Sequence, residues 1–186
     1  MMSSLKNHIL ISMPHMQDPC FGKTVILICE HTKDGAMGLI VNRPFKEPDM
    51  IDLFSEIYQE TENIFKVVPT IYFGGPVMIE RGIVLHSSEY KRKGTIKVSD
   101  DFALTSHKFI LQDINSGKAP ESYKLVLGHA GWTKSQLERE IERSDWLLQQ
   151  TSKEFVFNTP DDVMWNQAAK GLGIQTTQIT GIGGVA

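Results

Sequence analysis

Five polar residues have side chains suited to acid–base chemistry: Glu30, His31, Asn42, Arg43 and His86. A carboxylate and an imidazole can transfer a proton near neutral pH, and a guanidinium binds carboxylate and phosphate groups. Together these residues could act on a small anionic substrate. The hypothesis makes a geometric demand, because Glu30, Arg43 and His86 must then line one cleft.

Two of these polar pairs directly follow apolar runs. Glu30-His31 follows residues 25–29, Asn42-Arg43 follows residues 36–41, and Lys33-Asp34-Gly35 lies between the runs. Such a turn signal between apolar runs predicts a hairpin. The charged strand ends allow two interpretations: a local ion pair between Glu30 and Arg43, or a small polar pocket.

Cys29 and His31 are two residues apart on a predicted strand, so their side chains are expected to share a face. That pair could begin a zinc site, but a site needs at least three protein ligands. His15, His86 and His129 would have to converge on it from distant segments. We therefore predict no metal site, and the absence of nucleotide-binding glycine motifs predicts no cofactor.

Two glycine-marked turns have unusual neighbours: Gly74-Gly75-Pro76 and Gly131-Trp132. A tight turn is the simpler interpretation of the first, and a nest of backbone N–H groups that binds an anion is the alternative. In the second, the glycine indicates a special backbone angle or a close approach, and the tryptophan indicates an anchored joint. Both turns are included in the candidate pocket.

A helix is predicted to begin just after Trp132. Thr133 with Gln136, or Ser135 with Glu138, matches the capping box, in which two side chains bond to backbone N–H groups at the helix start. Gln136 and Glu138 complete the candidate pocket. The spacing of Glu138 and Glu140 is typical of a helix surface. It is very weak evidence for a glycosidase-like acid–base pair.

The composition is that of an ordinary globular protein, with 41% hydrophobic and 22% charged residues. The 186 residues predict a single domain over residues 1–186 whose core needs no disulfide. The formal net charge is −3, and the one dense basic run, residues 91–93, fits a solvated turn. Direct nucleic-acid binding is therefore disfavoured.

Cysteine content and hydropathy predict a cytoplasmic protein. Cys20 and Cys29 offer no disulfide framework, which suits a reducing compartment. The N-terminus lacks the pattern of a signal peptide, and no run reaches the roughly 18 apolar residues of a membrane helix. We expect no membrane association.

Periodicity predicts eight strands and four helices. The strands cover residues 8–12, 24–30, 36–41, 70–73, 82–86, 95–98, 123–129 and 154–157. The helices cover residues 49–64, 105–114, 133–148 and 159–172. Because the first half is hairpin-like and strict βαβ alternation is absent, the pattern favours an α+β fold.

Seven segments carry a further signal through their order. They are Met13-Pro14 with Asp18-Pro19-Cys20-Phe21; Cys29-Glu30-His31; residues 35–44; Tyr72-Phe73-Gly74-Gly75-Pro76-Val77; Val84-Leu85-His86; Ala130-Gly131-Trp132 with Gln136-Leu137-Glu138; and Phe157-Asn158-Thr159-Pro160. In this order they resemble the AlgH/YqgE family of bacterial proteins. The resemblance covers almost the whole chain.

The resemblance implies a coiled, bifurcated, partly barrel-like β-sheet packed against helices. It implies no established activity. Some members carry the label of transcriptional regulator, but this sequence contains no DNA-binding motif. Two departures stand out: Ser135 replaces a common glycine, and the chain ends in Gly183-Gly184-Val185-Ala186 rather than near a Gly-His-Ala.

We therefore expect a non-enzymatic binding or regulatory protein with a protein or small-molecule partner. An enzyme that uses an unfamiliar polar site on a small anionic substrate is the alternative. Direct DNA binding ranks last, because the sequence has neither a basic excess nor a recognition helix.

Overall fold

The computed structural model of the protein describes residues 3–46, 70–106 and 108–173. The strands are β1 (His8–Ser12), β2 (Val25–Thr32), β3 (Gly35–Ile40), β4 (Ile71–Phe73), β5 (Val77–Ser87), β6 (Thr95–Lys97), β7 (Phe102–Thr105), β8 (Tyr123–Thr133) and β9 (Trp146–Gln150). The helices are α1 (Phe109–Asn115), α2 (Gln136–Glu142), α3 (Lys153–Asn158) and α4 (Asp161–Gly171). The helix predicted over residues 49–64 lies outside the described residues.

The nine strands of the described ranges form one curled, half-barrel sheet in the order β6-β7-β5-β8-β3-β2-β1-β9, with β4 also paired to β8. Strand β8 is the branch point of this sheet. Its residues 123–129 pair with β5, residues 125–127 pair in parallel with β4, and residues 130–133 pair with β3. The predicted α+β fold with a curled, partly barrel-like sheet is confirmed.

The alternation of side chains along the strands divides the core between the two faces of the sheet. On one face, residues such as Ile9 and Leu27 pack with Trp165 of α4 and Val156 of α3. On the other face, Leu137 of α2 and the side chains of α1 cover separate clusters. Each fully buried aliphatic side chain stabilises the fold by about 1.5–3 kcal/mol.

Helix α3 replaces the strand predicted over residues 154–157. The Ser152 side chain caps it by accepting a hydrogen bond from the backbone N–H of Phe155, 3.3 Å away. Val156 points into the core and is fully buried. The cap and this packing outweigh the strand preference of the Phe-Val-Phe sequence.

Helix α2 is shorter than predicted. It ends at Glu142, and Ser144 adopts a left-handed backbone with φ of 61°. The chain then pairs with β1 as strand β9, through Leu148 and its neighbours. The predicted turn at Lys33-Asp34-Gly35 is confirmed, since β2 and β3 form an antiparallel hairpin. No helix in the described ranges is long and apolar enough to cross a membrane.

Candidate functional site around helix α2 and the start of strand β5

Glu30 and Arg43 lie at opposite ends of the β2–β3 hairpin. Glu30 is exposed near the hairpin turn and pairs with Met37. The Arg43 guanidinium donates to three carbonyl oxygens of the loop at residues 19–22, at 2.5–3.0 Å. Arg43 is six residues beyond Met37, so at about 3.4 Å per residue Glu30 and Arg43 are on the order of 20 Å apart. The predicted ion pair is therefore wrong, and the two residues are too far apart to share a small polar pocket.

The side chains of His86 and Asn42 also form hydrogen bonds within the fold. The buried His86 ring donates through Nδ1 to the next residue's carbonyl oxygen, 2.8 Å away, and accepts through Nε2 from the Thr105 hydroxyl at 2.9 Å. Burial lowers the pKa of His86, which keeps the ring neutral. The Asn42 side-chain oxygen accepts from the Val25 N–H at 2.9 Å. Since Glu30, Arg43 and His86 do not line one cleft, they form no acid–base group.

The shared face predicted for Cys29 and His31 is wrong, because a β-bulge falls between Ile28 and Glu30. A bulge adds one residue to a strand and shifts the alternation of side chains. Cys29 packs into the core beneath α3 and α4, whereas His31 contacts Glu138 of α2 on the other face. Burial raises the pKa of the Cys29 thiol to about 12, so the thiolate that a metal requires is disfavoured.

Four of the predicted residues do come together around α2: His31, Trp132, Gln136 and Glu138. His31 accepts from the Leu5 backbone N–H through Nδ1 at 3.0 Å, and its Nε2 therefore donates to Glu138 Oε1 at 2.9 Å. This hydrogen bond holds the pKa of the Glu138 carboxyl below its usual range. The pair fastens the hairpin end of β2 to helix α2.

The centre of this group is Glu140, which the sequence placed only on a helix surface. Its Oε2 accepts from the indole N–H groups of Trp132 at 2.8 Å and Trp146 at 2.9 Å. Its Oε1 accepts from the Gln136 amide at 2.9 Å. Two nearby tryptophans that each need an acceptor were the signal that could have pointed to it. We call Trp132, Gln136, Glu138, Glu140 and their partner His31 the α2 cluster.

The start of α2 explains the departure at position 135. Gln136 Oε1 accepts from the Thr133 backbone N–H at 3.0 Å, but the helix begins at Gln136, so neither predicted pair forms a capping box. Ser135 occupies the N-cap position with φ of 59° and makes no side-chain cap. Glycine adopts this left-handed angle without a steric penalty, so it would suit position 135, which fits the glycine that the resemblance implies there.

The Gly74-Gly75-Pro76 turn presses directly against β8. A Cβ atom at Gly74 would stand 2.2 Å from Val126, and one at Gly75 would stand 2.2 Å from the backbone of His129. The Gly74 N–H donates to the Leu127 carbonyl oxygen at 2.8 Å. Because that donor is used within the fold, the turn serves close packing and positions the start of β5.

Strand β5 begins with two exposed apolar residues, Val77 and Met78, which are 40% and 46% exposed. Gly131 is exposed beside them. A Cβ atom added to Gly131 would lie 4.0 Å from Val77 Cγ2. Met78 has a left-handed backbone with φ of 49°. We call Val77, Met78 and Gly131 the β5 lip. Sequence reasoning selected Gly131 and missed the other two.

Lys124 is a buried cation that sequence reasoning also missed, although it is the one charge in the apolar run of β8. Its ammonium donates to the Val41 carbonyl oxygen at 2.7 Å and to Asp161 at 3.2 Å, and lies 4.4 Å from the Tyr72 ring centre. Burial lowers the pKa of Lys124, and Asp161 opposes that shift. The group anchors the first residue of α4 to the sheet.

The AlgH-like family model (DUF179) matches residues 9–177. The chain belongs to the AlgH-like family. A UPF0301 protein of Marinomonas sp. (strain MWYL1) is 41% identical over 177 residues, which are 95% of this chain and 94% of the relative. A UPF0301 protein of Shewanella frigidimarina (strain NCIMB 400) is also 41% identical, over 96% of this chain and 97% of the relative.

Two solved structures are similar to this AlgH-like chain. The solution structure of the AlgH protein from Pseudomonas aeruginosa has a TM-score of 0.75 at 34% identity, covering 99% of this chain and 97% of that one. Protein DIP2367 from Corynebacterium diphtheriae has a TM-score of 0.71 at 19% identity, covering 92% and 88%, and shows the fold alone. The names of these proteins specify no reaction.

Proposed function

We propose that this AlgH-like protein is a non-enzymatic binding protein and that the β5 lip is where it contacts a partner protein. The observation that carries the proposal is Met78, an apolar residue that is 46% exposed and has φ of 49°. A left-handed backbone costs a residue with a side chain about 1–2 kcal/mol. Because the Met78 side chain is exposed, core packing offsets little of that cost. This favours a role for Met78 on the surface.

The contrast with similar positions supports this interpretation. Among the described residues, the other non-glycine residues with positive φ are Asn7, Lys23, Ser135 and Ser144, all of them polar. Polar side chains at turns can form hydrogen bonds with the nearby backbone or remain solvated. An exposed methionine side chain, in contrast, gains hydrophobic free energy only when another surface covers it. Methionine also adapts its shape to a contact surface.

The chemistry of the lip favours a protein over a nucleic acid or an enclosed small molecule. Val77 and Met78 are adjacent and face solvent, which suits a flat apolar contact better than a ligand cavity. The net charge of −3 works against phosphate binding. A regulatory role would therefore act through a partner protein rather than through direct contact with DNA.

We place this binding event in the cytoplasm, as the sequence predicts. The free thiols of Cys20 and Cys29 support that location, because a reducing compartment keeps such thiols unpaired.

Capture of partners from a native lysate of the source organism tests the proposal. Met78→Lys adds a charge to the lip, and Ile96→Lys, at a 64% exposed apolar residue on β6, is the matched control. We expect the wild type and Ile96→Lys to recover the same partner and Met78→Lys to recover about tenfold less, equivalent to about 1.4 kcal/mol. Equal recovery by all three proteins would refute a binding role for the lip.

A further inference from the structure

Strand β9 leaves an open edge at one end of the sheet. Among the described strands it pairs only with β1, and its register there is continuous over residues 146–150. Its sequence, Trp-Leu-Leu-Gln-Gln, contains no charged residue and no proline. Proteins usually protect open edges with charges, prolines, bulges or very short strands. Strand β9 has none of these four features.

The hydrogen-bond register identifies which backbone groups face outward. The Met13 N–H donates to the Asp145 carbonyl oxygen at 3.1 Å, in line with the β1–β9 pairing. Because bonded pairs alternate along an antiparallel ladder, the odd-numbered residues of β9 bond to β1. The N–H and C=O groups of Trp146, Leu148 and Gln150 therefore point away from the sheet, where an added strand could pair with them.

A groove beside this edge is lined by residues that include two polar atoms without a partner among the described residues. It has a volume of about 290 Å³ and is lined by Ile9, Gln149, Gln150, Thr151, Ser152 and Phe155. Two of these lining residues, Gln149 and Thr151, each have a buried oxygen, Oε1 and Oγ1, without a hydrogen bond to the described residues. A buried polar atom without a partner costs about 1–3 kcal/mol, so a hydrogen-bonding group in the groove would be stabilised.

We propose that β9 binds an extended, uncharged polypeptide segment of a partner protein by strand addition. The segment's backbone pairs with Trp146, Leu148 and Gln150. The residue opposite Gln149 points to the same face of the sheet as Gln149, since paired residues share a face, and its side chain enters the groove. An amide or hydroxyl side chain at that position donates to Gln149 Oε1 and bonds to Thr151 Oγ1.

The lining of the groove sets the charge of the side chain that enters it. All six lining residues are uncharged, so a charged side chain would lose its hydration without gaining a counter-ion. The volume lies at the lower limit of about 300 Å³ for small-ligand sites and suits one inserted side chain. This site is separate from the β5 lip and is tested independently of it.

The experiment selects peptides from a displayed library of random 12-residue sequences against the full chain, then follows amide hydrogen exchange with a selected peptide bound. We expect uncharged peptides with Asn, Gln, Ser or Thr at alternate positions, and at least tenfold slower exchange at Leu148 and Gln150. Failure to enrich any peptide, enrichment of charged peptides, or protection confined to the β5 lip would each overturn the proposal.

Gln149→Leu removes one unpaired polar atom and keeps the side chain's size, so the fold should be retained. We expect it to weaken the selected peptide about tenfold, whereas Gln112→Leu, at an exposed glutamine of α1, should leave binding unchanged. Slow exchange at Leu148 and Gln150 in the peptide-free chain would contradict an open edge. If that protection is independent of protein concentration, the chain itself covers the edge; if it grows with concentration, a second copy does.

Discussion

The α2 cluster and the β5 lip both come from segments that the sequence marks with glycine, yet their side chains do opposite things. In the α2 cluster, Glu140 binds two indoles and an amide, and Glu138 binds His31. At the β5 lip, Val77 and Met78 face solvent, and Met78 has a left-handed backbone. The polar residues of the α2 cluster therefore hold the fold together, whereas Val77 and Met78 of the β5 lip are apolar and exposed.

This difference predicts opposite consequences of mutation. Removing a group from the α2 cluster should lower the free energy of unfolding, because its partners are left without hydrogen bonds. Changing the β5 lip should leave that free energy unchanged or raise it, and should reduce partner binding.

The largest effect is expected for Glu140→Ala. It leaves the indole N–H groups of Trp132 and Trp146 and the Gln136 amide without their acceptor. At about 1–3 kcal/mol for each buried group, and less for the partly exposed amide, we expect a loss of about 3 kcal/mol. Urea unfolding measures it. Glu142→Ala, at an exposed residue of the same helix, should stay within about 0.5 kcal/mol, and an equal loss in both variants would show that the cluster adds nothing.

A smaller, pH-dependent effect is expected at Glu138. The His31 hydrogen bond lowers its pKa in the folded state below the ordinary value of about 4.3. Between the two pKa values the unfolded chain binds more protons than the folded chain. The stabilisation by the His31–Glu138 hydrogen bond is therefore fully present above about pH 4.3 and is lost as the pH falls through the folded-state pKa.

Glu138→Gln should flatten that part of the acid limb in unfolding curves measured from pH 6 downward. Glu142→Gln is the matched control, because its side chain is exposed on the same helix. An acid limb of unchanged slope in Glu138→Gln would mean that the His31 contact does not stabilise the folded state.

The apolar runs of β1, β2, β3 and β8 were sufficient to predict these strands, since a short continuous apolar run bounded by turn residues is a local pattern typical of a strand buried on both faces. Strand β9 was missed because the helical spacing of Leu137 and Ile141 continues to Leu148 in the sequence. Only the left-handed Ser144 and the pairing with β1 end the helix earlier. Backbone angles of this kind are set by tertiary contacts and leave little trace in residue type.

The difference between local signals and tertiary contacts also explains which residues of the site could be predicted. The local signals at Gly131-Trp132 and Gln136 led to the α2 cluster, but Glu140 was missed because its role depends on Trp146, which the fold brings beside Trp132. The predicted grouping of Glu30 with Arg43 is wrong because both follow apolar runs, and antiparallel pairing sends these run ends to opposite ends of the hairpin.

The two edge strands of the sheet, β6 and β9, also differ from each other. Strand β6 has three residues, includes Lys97 and follows the basic turn at residues 91–93, which are features that discourage strand addition. Strand β9 is longer and uncharged, and it borders a groove whose lining residues include two polar atoms without a partner in the described part of the chain. We therefore expect strand addition at β9 and none at β6.

The most direct test of the binding role compares partner capture by Met78→Gly and Ser135→Gly. Both residues have left-handed angles, with φ of 49° and 59°, so each variant should gain about 1 kcal/mol of stability. Met78→Gly should capture about tenfold less partner per folded molecule, and Ser135→Gly should match the wild type. Equal capture by the two variants would contradict the claim that the β5 lip is the binding surface.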